Sequence, residues 1–131
     1  MKRIILTLAL LPIASAAAAA PIEGRWHNPQ DSVIIDVAPC GAETWCGRVS
    51  WANAKAKADA SKGGTTNLVG TQLLTGLKAD GRGSYKGRVY LPKRNMHAGA
   101  TVRAAGSDTL LVKGCAFAGM VCKQQRWTRV N

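Results

Sequence analysis

The chain has 131 residues, with 18 lysines and arginines against 7 aspartates and glutamates, a formal net charge of +11. That length suits one domain with one core. The basic excess points to anionic partners or to a solubilising charged surface. Beyond the N-terminus no stretch is long and apolar enough to span a bilayer, which excludes a helical membrane protein for the remainder.

Residues 1–20 read as a targeting segment. Lys2 and Arg3 form a positive start, Ile4 to Ala14 an apolar run, and Ser15 to Ala20 a small-residue tail suited to cleavage. Pro21 is a poor first residue, so cleavage is expected near residues 17–20. No cysteine lies there, which argues against a lipid-anchored form, and Pro12 argues against a retained anchor. Residues 21–131 are then a single exported domain, periplasmic or secreted, with no transmembrane anchor after cleavage. Removing Lys2 and Arg3 leaves 16 basic against 7 acidic side chains. This part is poor in long apolar side chains but holds 4 tryptophans, so much of its core is expected to be aromatic.

The predicted elements are short strands. Gly24-Arg25-Trp26 precedes a proline turn at Asn28 to Asp31. Ser32 to Val37 alternates, with Val33, Ile35 and Val37 on one face, and Pro39 and Gly41 end it. Trp45 to Trp51 returns as its hairpin partner, placing Trp45, Gly47, Val49 and Trp51 on one face and Arg48 and Ser50 on the other. From Ala52 to Asn67 the composition turns to Ala, Lys, Asp, Ser, Gly and Thr without an amphipathic stripe, which predicts a mobile basic excursion. Lys62-Gly63-Gly64-Thr65-Thr66 within it lacks the spacing and the strand-to-helix setting of a phosphate loop. Further strands are predicted over Gln72 to Leu77, Ser84 to Tyr90, His97 to Ala105, Thr109 to Gly114 and Gln125 to Val130, divided by turns at Asp80-Gly81, Pro92 to Asn95 and Gly106-Ser107-Asp108. About eight short antiparallel strands in sequence order form a meander, and a sheet of that size closes into an all-β, up-and-down barrel to remove its edges.

An exported chain with 4 cysteines is expected to carry two disulfides. Cys40 with Cys46 and Cys115 with Cys122 each flank a short glycine-containing turn, which favours local pairing. Loop entropy alone does not choose, since crossed pairs close longer loops. Zinc is disfavoured because neither spacing is of the Cys-x2-Cys kind and neither His27 nor His97 lies near a pair. No metal or other cofactor is expected.

Taken together, Gly24-x-Trp26, Pro39-Cys40-Gly41, Cys46-Gly47-Arg48-Val49 with Trp51, Leu73-Leu74-x-Gly76-Leu77, Gly87-x-Val89-Tyr90-x-Pro92, Leu110-x-Val112-x-Gly114-Cys115 and Trp127-x-Arg129 resemble the bacterial family called domain of unknown function 2147. The resemblance covers nearly all of residues 21–131. It implies a small exported protein of Gram-negative bacteria with a lipocalin-like barrel and no established role. The chain departs from the family pattern in two places. Only Asn67 remains of the acidic and Asn-Pro-Asp residues before the Leu-rich strand, and Leu91 replaces the acid beside the Tyr-x-Pro turn, with Lys93 and Arg94 following. The lipocalin likeness further implies that Trp26 closes one barrel end beneath Arg129, with Trp127 joining that structural cluster.

Three function classes follow. A binder of a small apolar or amphiphilic ligand would line its cavity with Trp45, Val49, Trp51, Tyr85 and Val89, with Gly47, Gly76, Gly87 and Ala104 leaving room; a barrel filled by its own side chains is the alternative. A surface binder of anionic envelope components, lipid A phosphates or anionic lipids, would use Lys78, Arg82, Lys86, Arg88, Lys93, Arg94 and Arg103; export argues against nucleic acid. An enzyme is disfavoured: the chain holds no nucleophile motif and no local carboxylate pair, and paired cysteines leave no thiol. Nothing in the residues fixes an oligomeric state.

Overall fold

A computed structural model describes residues 9–12 and 19–131. The targeting segment expected at residues 1–20 therefore lies mostly outside the described residues. Eight strands run in sequence order: β1 (Gly24–His27), β2 (Val33–Gly41), β3 (Thr44–Ala52), β4 (Gln72–Ala79), β5 (Tyr85–Leu91), β6 (Met96–Ala104), β7 (Thr109–Ala116) and β8 (Val121–Arg129), with one helix, α1 (Ala54–Lys62), between β3 and β4. Each strand pairs antiparallel with the next, and β1 also pairs with β8, so the meander closes into a barrel as expected.

Closure buries one face of each strand. Ile35, Val49, Leu74, Leu77, Val102 and Leu110 are all but completely buried, and Trp26 and Ile22 lie beneath them. Fully burying a side chain of this kind stabilises by roughly 1.5–3 kcal/mol. β1 reaches only to the Gly24↔Val37 pair, so β2 has one neighbour beyond it, and Pro39 can continue the strand there although it cannot donate to a ladder.

Three departures from the predicted pattern have local causes. Ile35 pairs with Val49 but Ile34 pairs with Trp51, so Ser50 is an extra residue, a β-bulge that inverts the alternation. Trp51 is consequently turned outward and Ala52 inward. β4 also shifts register between Thr75 and Lys78. The third departure is α1, where a mobile excursion was expected. The Asn53 side chain accepts from the Ala56 N–H and caps a nine-residue helix rich in alanine. Packing replaces the missing amphipathic stripe: Ala60 is buried against the barrel and Ala56, one turn earlier, packs against the same core.

Both cysteine pairs form locally, Cys40 with Cys46 and Cys115 with Cys122, and no free cysteine remains among the described residues. Cys115 and Cys122 are direct cross-strand partners, so β7 and β8 run further than predicted and leave only Phe117 to Met120 as the turn. Among the described residues no helix is long and apolar enough to cross a membrane.

Candidate binding cavity

The two barrel ends differ. At one end lie the β2–β3, β4–β5 and β6–β7 turns together with the N-terminal strap that precedes β1. Arg129 fastens this strap. Its guanidinium stands 4.2 Å from the Trp26 ring centroid and donates from Nε to the Ser107 carbonyl at 2.6 Å and from Nη1 to the Glu23 carbonyl at 3.0 Å. Trp26 in turn donates to the Ile22 carbonyl. The Gly-x-Trp motif has a steric reason here: a Cβ on Gly24 would stand 2.4 Å from Arg129 Nη1, and the backbone φ of +125° is one that side chains rarely adopt. Trp45 and Tyr85 complete the plug, edge to face at 5.3 Å, with the indole N–H donating to Glu23 Oε1 at 2.8 Å.

The other end is open. Within it lies a cavity of about 750 Å³ that reaches down to Ile35 and Leu74. Its walls are Val33 from β2, Leu68 and Leu73 from the β3–β4 side, Val89 from β5, Ala98 from β6, Val112 and Gly114 from β7, and Trp127 from β8. The small residues of β6 and β7 make the room. The glycines expected to do so do not: Leu74 and Ile35 crowd the Gly47 position, and a Cβ on Gly87 would meet the Thr75 carbonyl at 2.4 Å, where the β4 bulge presses inward. Gly76, which is exposed, belongs to that irregular stretch of β4.

Of the five residues expected to line the cavity, Val89 does so. Val49 is buried in the filled half below it, and Trp45 and Tyr85 belong to the plug. Trp51 is 44% exposed on the outer wall, because of the bulge at Ser50. Trp127 moves in the opposite sense. It shares the inward face with Arg129 but lies higher, lining the cavity with its N–H donating to Gln125 Oε1 at 3.1 Å. The closing cluster is thus Trp26 and Arg129 without Trp127.

Sequence reasoning missed the polar side of this cavity. Period-two alternation from Trp127 places Gln125 and Lys123 inward, and both line the upper wall. β8 is exposed from Val121 to Arg126 because its inner face looks into open cavity. Four cations, Lys55, Lys93, Arg94 and Lys123, face one carboxylate, Asp59, around the lining. Lys55 Nζ donates to Asp59 Oδ2 at 2.8 Å, and this bond, with the charges of Lys55, Lys93 and Lys62, holds the Asp59 carboxyl below its ordinary value of 3.8. At the rim α1 is tied to the β5–β6 turn. Thr65 Oγ1 donates to the Pro92 carbonyl at 2.9 Å and lies 2.6 Å from Tyr90 Oη, which donates to Asn95 Oδ1 at 2.8 Å.

Outside, the predicted basic residues divide. Lys78 pairs directly with Lys86, and Lys86 continues through Thr101 to Lys113, while Arg103 continues through Leu111 to Arg126. Lys78, Lys86, Arg88 and Arg103 therefore share one outer wall with Lys113 and Arg126, which sequence reading had not included. Strands β4 to β8 carry no carboxylate. Arg82 lies in the β4–β5 turn at the closed end, and Lys93 and Arg94 lie at the open rim. No group of three or more His, Cys, Asp or Glu side chains gathers among the described residues.

The family profile described as "Uncharacterized protein conserved in bacteria (DUF2147)" matches residues 24–129, the whole barrel from the first residue of β1 to the last of β8. The chain belongs to that family. This DUF2147 barrel is also similar to a solved structure from the human pathogen Helicobacter pylori, described as belonging to the lipocalin family, with 15% identity and a TM-score of 0.64 over 84% of this chain and 83% of the other. At that identity the likeness concerns the fold. No curated protein matches by sequence.

Proposed function

We propose that this DUF2147 barrel is an exported, non-enzymatic binding protein that holds one small amphiphile, with its apolar part in the cavity and an anionic head at the rim. The observation that carries this reading is the half-filled barrel: a cavity of about 750 Å³ with apolar walls and cations around its lining. Pockets for small molecules run from about 300 to 1,000 Å³ and combine apolar walls with a few placed polar groups. Lys123 and Gln125 supply donors on the upper wall, and Lys93 and Arg94 supply charge at the rim, where an anionic head stays partly hydrated. Two disulfides and a bacterial family fit an oxidising, extracytoplasmic location.

Filling the cavity tests the proposal. Ala98 is buried on the β6 wall opposite Val89, so Ala98→Phe projects a ring into the cavity. A fluorescent long-chain fatty acid is expected to bind the wild-type protein saturably and to lose about tenfold or more in affinity to the variant, while the urea midpoint holds or rises. Absence of saturable binding, or binding that Ala98→Phe leaves unchanged, overturns it.

A second reading rests on the outer wall of β4 to β8, where cations repeat across neighbouring strands without a carboxylate. Such a wall attracts phosphate-bearing envelope components by a field that salt screens. Reversing Lys86, Arg88 and Arg103 to glutamate together is expected to abolish retention on a polyanionic resin at low salt; unchanged retention sinks it.

A further inference from the structure

The open end carries an apolar turn that bounds the mouth of the cavity through Phe117 and Val121 and also stands out from it into solvent. The β7–β8 turn projects Phe117 at 71% exposure and Met120 at 85%, with Val121 beside them at 52%. Large apolar side chains this exposed and this concentrated mark an interaction site rather than ordinary surface. Phe117 is also held at φ 53° and Ala118 at φ 55°, a region costly for bulky residues, and the Cys115–Cys122 bridge lies immediately behind the turn. The bridge thus staples a hairpin whose tip is apolar.

We propose that this tip is a wedge that inserts into the interface of an anionic lipid bilayer and seats the open end of the barrel on the membrane. Charge complementarity selects this partner over an apolar protein surface. Around the mouth at this end lie Lys55, Lys93, Arg94 and Lys123 against Asp59; α1 adds Lys57 and Lys62, and the β1–β2 turn adds one further carboxylate, Asp31. When Phe117 and Met120 enter the acyl boundary, these cations come to the level of the headgroups, where each basic residue adds to the attraction and salt weakens it. The wedge meets the basic outer wall of β4 to β8 only at Arg88, which lines a hollow with Phe117, and it does not depend on whether the cavity holds a ligand. Cavity occupancy, if present, gains a direct route, since the rim then faces the lipid from which an amphiphile would come.

The test is flotation of the protein recovered from a periplasmic extract, its processed N-terminus verified by mass, with vesicles of phosphatidylcholine alone or mixed with phosphatidylglycerol. The wild-type protein is expected to float with the anionic vesicles and not with the neutral ones. Phe117→Ser with Met120→Ser is expected to lower its partitioning by about tenfold or more. Both positions are solvent-exposed, and an unchanged urea midpoint confirms that the variant is folded. A Lys86→Glu, Arg103→Glu and Lys113→Glu variant, which spares Arg88 beside the turn, is expected to float nearly as the wild type does. The proposal is overturned if wild-type protein stays with the soluble fraction, if only the wall variant loses binding, or if the tip variant abolishes a concentration-dependent dimer while vesicles are ignored. Fatty-acid titration without vesicles reads the cavity separately, so failure of one reading is not failure of the other.

Discussion

Arg129 ties residues more than one hundred positions apart, and replacing it with methionine tests whether the closed end is held as described. Methionine keeps an unbranched apolar stem and removes the guanidinium. Two good hydrogen bonds are lost, to Ser107 at 2.6 Å and to Glu23 at 3.0 Å; the third, to Pro21 at 3.4 Å, is near the geometric limit and counts for little. Hydrogen bonds to a charged donor are worth about 1.5–3 kcal/mol, and the lower figure applies because water can reach these carbonyls once the guanidinium is gone. With about 1 kcal/mol for the cation over Trp26, the expected loss is about 4 kcal/mol, a large share of the 5–15 kcal/mol typical of a whole domain. Urea denaturation followed by tryptophan fluorescence measures it as a lowered midpoint at unchanged slope. In a cycle with Trp26→Phe, the two substitutions are expected to couple by about 0.5–1 kcal/mol. A loss below about 1 kcal/mol, or strict additivity with Trp26→Phe, refutes the placement of Arg129 as the fastening of the strap.

Two further predictions concern α1 and its rim. Thr65→Val removes the hydroxyl that serves Pro92 and Tyr90, which is expected to cost about 1–2 kcal/mol and to speed amide exchange across Ala54–Lys62 roughly 5- to 30-fold, with β6 and β7 unaffected; equal protection in both proteins contradicts the tie. The acidic groups set a pH dependence. Lys55 holds the Asp59 carboxyl below 3.8, and the backbone N–H of Arg82, seconded by that of Ser84, does the same for Asp80. Lowered values in the folded state contribute stability that is present above 3.8 and lost as pH falls through the lower folded values. Asp59→Asn is expected to flatten part of that acid loss in a pH series of urea midpoints, and an unchanged pH profile contradicts the Lys55–Asp59 contact.

The barrel was legible in the sequence because its signals are local: alternating apolar residues, turn residues between them, and cysteines flanking short turns. Trp26 and Arg129 were legible through the family motifs. The cavity was not, because one inserted residue, Ser50, reverses everything after it on β3 and carries Trp51 to the outside. Bulges have no composition of their own, and Ser50 resembles any outward strand residue. Likewise Gly47 and Gly87 suggested empty space where they record close approach of neighbouring chains, while Ala98 and Gly114, unremarkable in sequence, open the cavity. Helix α1 escaped because its stability comes from an Asn53 cap and from Ala60 against the barrel, neither of which leaves an apolar stripe. Lys123 and Gln125 were hidden for a related reason, since inward polar residues on β8 make sense only beside an open cavity.

The central claim is that the upper half of this barrel holds a molecule. Native mass spectrometry of the protein purified gently from a periplasmic extract tests it most directly. The account predicts a reproducible added mass of lipid size that organic extraction removes and that Ala98→Phe lacks. A mass equal to the polypeptide with its two disulfides before and after extraction, together with no saturable uptake of a fatty acid, would contradict it.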